Sequence, residues 1–380
     1  MTGGNNMGVN LKQETIKVNV VSKKLIKPCK PTPSHLRSYK ISLIDELNPS
    51  MHVICILFYP SDQVVNGKHI TSLEESVSQV LPLFYPLAGR YYKDEHYVDC
   101  NDEGAEFSIA EVDCKLHQLI GPEVKTEQLN LLLPLEIGAA DEPTDPMLAV
   151  QINKFQCGGL AIGICTSHRI FDSCLQAIFL KAWSNIAIDG GLVICPNFDS
   201  PTYFPPQNLA PVQFGVSRTR DTSIPLRGKK HGKSRASIVG QAVNVRERTI
   251  PPISKYACGY WASTTFLEST ADESYALECN FFEIVSKMRK VIIEGIKDCE
   301  RILSDREFGR KVLIDCDFEV TQKSNSLIQR LYGSQIGLSL KTMNTKDNDG
   351  IEAWVSIHES DMPYLEQDVD LRMLTSQLAG

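Results

Sequence analysis

The hydrophobic pattern of residues 160–186 changes its period within a few residues, and this change constrains the fold more than any other feature. Leu160, Ile162 and Ile164 alternate with small residues, as in a buried strand. Farther along, apolar residues recur every three or four positions, which predicts an amphipathic helix: Leu175, Ile178, Phe179, Ala182, Trp183 and Ile186. The connecting stretch "TSHRIFDS" therefore lies at the carboxyl end of a strand, where α/β proteins tend to place their chemistry.

That connection contains His168 and, four residues later, Asp172. An imidazole with a near-neutral pKa can remove a hydroxyl proton at pH 7. Gly159 and Gly163 leave one face of the strand nearly bare, which suits the close approach of a ligand or of backbone. These features favour a catalytic histidine. The alternative is that His168 is an ordinary loop residue and that Asp172, or Ser173, only caps the helix.

Two other chemical interpretations of the same loop are weaker. Cys165, His168 and Cys174 could bind a metal, but their spacing matches no usual zinc pattern, so we expect no metal. Either cysteine could instead be a nucleophile paired with His168. The 12 cysteines include no CxxC pair and several lie in apolar runs, so we expect them to be reduced and mostly structural.

The remaining pattern alternates strands and helices, which indicates an α/β protein. Ile16, Val18 and Val20 share one face of a half-buried strand. Other strands are predicted at 51–60, 96–100, 105–112 and 350–358, a hairpin at 147–167 turning near Gly158 and Gly159, and helices at 71–89 and 281–298.

Proline and turn residues, followed by a basic aperiodic stretch, separate two halves of the chain. This change in composition predicts an N-terminal domain over 1–190, a crossover linker over 191–240 and a C-terminal domain over 241–380.

Composition excludes several classes of protein. The net charge of -7 and pI near 5.7 argue against a general nucleic-acid-binding surface. The start "MTGGNNMGVNLKQ" has no apolar core of the kind a signal peptide needs, and the run at 53–59 is too short to span a bilayer. We therefore expect a cytoplasmic protein that binds neither membrane nor nucleic acid.

Segments in order along the chain resemble the plant BAHD acyl-CoA-dependent acyltransferases, and within that family the vinorine synthase and salutaridinol acetyltransferase group. They are "KPTPSHLRSYKISLIDEL", "LPLFYPLAGR", "VDCNDEGAEF", "FQCGGLAIGICTSHRIFDS", "PNFDSPTYFPP", "AVNVRERTIPP" and "GIEAWVSIHESDM". The resemblance implies a two-domain α/β fold like that of chloramphenicol acetyltransferase, with layered mixed sheets, a central channel between the domains and a monomeric state.

The resemblance also implies a function: transfer of an acyl group, expected to be acetyl from acetyl-CoA, to a hydroxyl of an alkaloid- or terpenoid-like plant metabolite. Acyl-CoA would be a co-substrate and no cofactor would be bound. His168 would be the general base. Asp172 would support the site by pairing with an arginine, for which Arg246 is the first candidate and Arg248 the second.

The chain departs from the family pattern in its second half. The late Asp-Phe-Gly-Trp-Gly segment is missing, and only Asp317 and Phe318 partly resemble it. The family's Gly-Asn is Gly259-Tyr260 here, and the basic stretch from Arg218 to Arg235 replaces a strand and a helix of the family. That stretch is interpreted as a solvated linker or as a contact for CoA phosphates. The alternative function is therefore a catalytically inactive relative that binds a small molecule or a protein.

Overall fold

The computed structural model describes residues 16–46, 48, 50–61, 68–120, 126–136, 138, 142–188, 194–208, 229–230, 233–234, 237–269, 281–310, 341–344 and 351–354. The chain divides into two compact units, one of residues 1–212 with 258–260 and one of residues 213–257 with 261–380. Much of the predicted linker and of its basic stretch, and the pair Asp317 and Phe318, lie outside the described residues. The domain boundaries at 190 and 240 stay predictions.

The first unit is built on a five-stranded mixed sheet. Its strands are β1 (Val18–Ile26), β3 (His52–Tyr59), β6 (Ala105–Val112), β7 (Leu148–Phe155) and β8 (Leu160–Ser167), in the order β1-β6-β7-β8-β3. β6 and β7 are parallel and the other neighbours are antiparallel. A smaller antiparallel sheet has the order β2-β5-β4, from β2 (Ser38–Lys40), β4 (Arg90–Tyr92) and β5 (Tyr97–Asp99). The predicted mixed sheets and hairpin are confirmed.

Two helices pack together against the large sheet. The helices of this unit are α1 (Leu43–Glu46), α2 (Lys68–Val80), α3 (Thr126–Asn130), α4 (Ser173–Ala187) and α5 (Ser200–Tyr203). The indole N–H of Trp183 on α4 donates to Ser76 Oγ on α2 at 2.8 Å. Gln176 of α4 donates from Nε2 to Thr166 Oγ1 of β8 at 3.2 Å, so α4 lies over the strand that it follows.

Helix α2 is shorter than the sequence predicts. It ends at Val80 instead of Gly89, and residues Tyr85–Ala88 form a separate 3-10 turn. Pro82 and Pro86 interrupt the periodic pattern. Because proline has no N–H group and clashes with the preceding turn, an α-helix cannot continue through these positions.

The prediction for β1 is wrong at Val20. The residue is 48% exposed, although the alternating pattern placed it with Ile16 and Val18 on a buried face. The register with β6 shifts between Val20 and Ser22, as at a β-bulge. β1 is also the edge of the sheet, where bulges are common and burial is incomplete.

The bare face of β8 is covered by backbone. A Cβ atom at Gly163 would lie 2.0 Å from the carbonyl oxygen of Leu132. Asn153 on the neighbouring strand donates from Nδ2 to this oxygen at 2.9 Å, and Gln151 donates from Nε2 to the Leu131 carbonyl at 3.2 Å. The small residues were expected to allow the close approach of either a ligand or backbone. At Gly163 the structure shows that backbone approaches.

The second unit contains an antiparallel pair, β11 (Ser237–Asn244) and β12 (Ala262–Ser269), and a helix, α6 (Phe281–Cys299), that packs against β12. Its other elements are β9 (Lys229–Lys230), β10 (Lys233–Ser234), α7 (Arg306–Arg310), β13 (Lys341–Asn344) and β14 (Ile351–Trp354). The predicted helix and final strand are confirmed, the strand over a shorter range. Within the described ranges, no helix has the length and apolar character needed to cross a bilayer.

Candidate active site

The turn that leaves β8 is held by two main-chain hydrogen bonds of His168. Its N–H donates to the Met51 carbonyl at 3.0 Å, and its carbonyl accepts from Nδ2 of Asn48 at 2.9 Å. Both partners precede β3, the strand that pairs with β8. The imidazole is therefore carried by a fixed turn at the end of a central strand, and its side chain stays partly exposed.

The surroundings of His168 favour the neutral imidazole. Burial lowers its pKa below the usual value of 6.5, and nearby Arg169 acts in the same direction. The main-chain carbonyl of His168 itself and the Asp172 carboxylate raise the pKa by less than burial lowers it. The buried Nδ1 atom has no hydrogen-bond partner in the part of the chain that the structure describes. A neutral imidazole at pH 7 is the form that can accept a proton.

Arg169 supports this turn, and the sequence pattern did not indicate it. The side chain is buried, and Nη1 donates to the carbonyls of Glu46 and Asn48. Its guanidinium also lies 5.6 Å from the centre of the Tyr91 ring. Arg169 therefore binds the same segment that holds the His168 carbonyl. The two carbonyl partners lie more than 100 positions away in sequence, so no local signal predicts them.

Asp172 caps helix α4, as one of the two interpretations expected. Its carboxylate accepts from the Leu175 N–H at 2.8 Å, and its extended backbone is usual for an N-cap. Arg246, in the second unit, is buried and donates from Nε to the Ala257 carbonyl at 2.9 Å. Arg248 donates from Nη1 to the Asn244 carbonyl. The pairing of Asp172 with an arginine stays a prediction.

The cap gives a testable prediction. We expect Asp172→Ala to lower the free energy of unfolding by about 1 kcal/mol, because it removes the acceptor of the Leu175 N–H. Asp172→Asn should lose much less, since asparagine caps helices as well as aspartate. Urea denaturation followed by circular dichroism measures both. An equal loss in the two variants would show that the charge of Asp172, and not its capping bond, matters.

Tyr260 lies beside the imidazole. The ring centres of His168 and Tyr260 are 5.8 Å apart and their planes are tilted by 57°. The Tyr260 N–H donates to Oδ1 of the buried Asp45 carboxylate at 2.7 Å. Asp45 is 215 positions away in sequence, and no local pattern indicates it. In the sequence, Tyr260 stands out only as a departure from the family's Gly-Asn.

The position of Cys165 does not fit the interpretation that it is a nucleophile paired with His168. Cys165 is buried beside Leu133 and Ala149, and burial raises the pKa of its thiol to about 12. Because strand residues alternate, Cys165 points away from the face on which Thr166 contacts α4. Among the described residues, no group of three or more His, Cys, Asp or Glu side chains is arranged to hold a metal ion.

Comparison with known proteins shows the family. The family model described as "Transferase family" matches residues 16–230. A malonyltransferase of Salvia splendens that acts on a pelargonidin glucoside is 31% identical over 94% of this chain and 100% of its own length. The chain belongs to the BAHD acyltransferase family. It is thus a transferase, as the sequence predicted. The alignment with this relative spans 433 positions, more than the 380 residues of the chain, so the relative has residues without a counterpart here.

Other BAHD acyltransferases are similar over nearly their whole length. Vinorine synthase of Rauvolfia serpentina is 30% identical, with coverage of 91% of this chain and 95% of that protein. The crystal structure of vinorine synthase superimposes with a TM-score of 0.71 at 28% identity, covering 94% of this chain and 98% of that one. The predicted fold class is therefore confirmed. The channel between the two halves stays a prediction.

Proposed function

We propose that the protein is an acyl-CoA-dependent O-acyltransferase that transfers an acetyl group from acetyl-CoA to a hydroxyl of an alkaloid- or terpenoid-like plant metabolite. The observation that carries this proposal is His168, a partly exposed imidazole with a lowered pKa at the end of a central strand. Two relatives named as O-acetyltransferases, one for stemmadenine in Catharanthus roseus and one for 1,13-dihydroxy-N-methylcanadine in Papaver somniferum, each 27% identical, support the choice of acetyl and of an alkaloid-like acceptor.

In the proposed reaction, His168 acts as general base. Its unprotonated ring nitrogen takes the proton of the acceptor hydroxyl while the oxygen attacks the thioester carbonyl carbon of acetyl-CoA. The tetrahedral oxyanion then collapses, the carbon–sulfur bond breaks and CoA leaves as a thiolate. A thiolate is a stable leaving group and needs little acid assistance, so one imidazole suffices. The acetyl group passes directly to the acceptor, and no acyl-enzyme forms.

Asp172 has a supporting part in this proposal. Its carboxylate binds the first turn of α4 and does not take the proton. By fixing the start of α4 it fixes the other end of the short turn that carries His168. Its negative charge also favours the imidazolium that forms when the proton is transferred.

The proposal is tested with the purified full chain, acetyl-CoA and a panel of alkaloid and terpenoid alcohols. Release of the CoA thiol that depends on the acceptor, together with the acetylated product found by mass spectrometry, would support it. Malonyl-CoA is run in parallel, because the Salvia relative is a malonyltransferase. Folded protein that releases no thiol with either donor would favour the alternative of an inactive binding protein. Cytoplasmic location and a monomeric state stay predictions.

A further inference from the structure

The segment 258–260, which is part of the first unit and carries Tyr260, is held by hydrogen bonds at three successive positions. Each of its main-chain N–H groups donates to a different part of the chain. Cys258 donates to the Asn197 carbonyl at 2.6 Å, Gly259 to the Ile170 carbonyl at 3.2 Å and Tyr260 to Asp45 Oδ1 at 2.7 Å. Ile170 follows His168 by two residues, so the segment is fixed against the same turn that carries the imidazole. These three bonds fix the main chain of the segment, and they therefore fix the position from which the Tyr260 side chain extends.

Gly259 makes this arrangement possible. Its φ of +107° is a conformation that residues with a side chain rarely adopt. A Cβ atom there would also lie 3.0 Å from Ser200 Oγ and 3.1 Å from Asp45 Oδ1. The absence of a side chain at this position lets the backbone approach the buried carboxylate closely enough for the Tyr260 N–H to reach it.

Asp45 is suited to its position by charge as well as by size. Its Oδ2 atom accepts from the Ser42 N–H at 3.1 Å and from Ser42 Oγ at 2.6 Å, and Oδ1 accepts from Tyr260. All three of these groups donate to the Asp45 side chain, so this position requires a side chain with two acceptor oxygens. The pKa of Asp45 is raised to about 6 in total: burial is the largest cause and nearby Asp172 adds to it, whereas the bonds from Ser42 and Tyr260 lower it.

We propose that Asp45 and Tyr260 are positioning residues for His168: the carboxylate fixes the main chain of Tyr260, and the phenol ring covers one side of the imidazole, orienting it and excluding water. This inference rests on the proposed function, in which His168 is the general base. Neither residue takes part in proton transfer. A base that is held in one orientation reacts faster than one that rotates, because a displacement of 1 Å can reduce a rate about 100-fold.

The same contact predicts a pH effect. Removing the Tyr260 ring admits water to His168, and hydration stabilises the charged imidazolium, so the pKa of His168 should rise toward 6.5. The unprotonated imidazole is the active form, and a higher pKa leaves less of it below pH 7. The acid limb of the profile of kcat/KM against pH should therefore move to higher pH. The charged groups near the imidazole, Arg169 and Asp172, are unchanged by this substitution.

The test compares the wild type with Tyr260→Ala, Tyr260→Phe, Asp45→Asn and the double variant Asp45→Asn/Tyr260→Ala. Two quantities are measured: kcat/KM for acetyl transfer between pH 5 and 9, and the pKa of His168 by NMR of labelled histidine, assigned through His168→Gln. We expect Tyr260→Ala to reduce kcat/KM about tenfold or more at pH 6, by less at pH 8, and to raise the pKa of His168. Tyr260→Phe, which keeps the ring, should lie closer to the wild type.

Asp45→Asn tests the indirect part of the inference. The variant keeps the volume of the side chain but has one acceptor oxygen, so its amide N–H₂ must face a donor on Ser42 or on Tyr260. We expect a change in the same direction as in Tyr260→Ala. Because Asp45 acts through Tyr260, the double variant should be no worse than Tyr260→Ala alone, a non-additive result. Full additivity would overturn this part of the inference.

Tyr97→Ala is the matched control, since Tyr97 is another partly exposed tyrosine of the first unit that packs against an aromatic ring, that of Tyr92. It should leave the pKa of His168 unchanged. If Asp45→Asn does not fold, Tyr260→Leu, which removes the ring, and Tyr260→Phe, which keeps it, still test whether the ring positions His168. An active wild type whose pH profile and His168 pKa are the same in Tyr260→Ala would overturn the inference. A wild type without activity would instead contradict the proposed function, and the NMR titration would still test the contact.

Discussion

Replacing His168 with alanine is expected to reduce kcat for acetyl transfer by about 100- to 10,000-fold, the contribution that a positioned general base makes to a rate. The residue follows β8 directly, and its main chain is held at both the N–H and the carbonyl. Because these bonds involve only main-chain atoms of His168, the alanine variant keeps them. The loss should therefore appear in turnover and not in folding, with KM for acetyl-CoA changed little.

The control for this prediction is His117→Ala, because His117 is an exposed histidine on a separate 3-10 turn. It should keep wild-type turnover. Circular dichroism and thermal unfolding of both variants show whether the fold is intact. A folded His168→Ala protein that keeps more than about a tenth of the wild-type rate would contradict the role of His168 as general base.

The second large effect concerns stability. We expect Gly163→Ala to lower the free energy of unfolding by about 3 kcal/mol or more, since overpacking of a tight interior typically costs 1–3 kcal/mol and here the obstacle is backbone. The new Cβ would lie 2.0 Å from the Leu132 carbonyl oxygen, so either β8 or the 131–133 segment must move. Movement would also lengthen the bond from Asn153 Nδ2 to the same oxygen. Urea denaturation measures the change.

Gly159→Ala is the matched control, at the residue directly before the same strand. A Cβ there would first meet Cδ2 of Leu116 at 3.0 Å, the end of a side chain that can rotate away, and the nearest backbone atom, the Tyr59 carbonyl oxygen, would lie at 3.2 Å instead of 2.0 Å. Its loss of stability should be clearly smaller than that of Gly163→Ala. Equal stability of Gly163→Ala and the wild type would show that the Leu132 backbone does not approach β8 as closely as the structure indicates.

Local patterns were enough for the elements on which the site is built. The change of period near residue 168 predicted β8 and α4, and Asp172 begins the helix as a cap because capping depends on residues only three positions apart. The glycines at 158 and 159 predicted the hairpin, since a tight turn often needs a positive φ, and Gly158 has a φ of +83°. Pro82 and Pro86 are the sequence features from which the end of α2 at Val80 could have been predicted.

By itself, then, the sequence determined the order of strands and helices, the position of His168 at the end of a strand and the capping of α4, because each of these depends on neighbours along the chain. Only the tertiary structure decided that backbone covers Gly163, that Arg169 binds the carbonyls before β3, and that Asp45 fixes Tyr260 beside the imidazole. These contacts join residues between 31 and 215 positions apart. Their formation depends on how the elements pack together, which no pattern along the chain encodes.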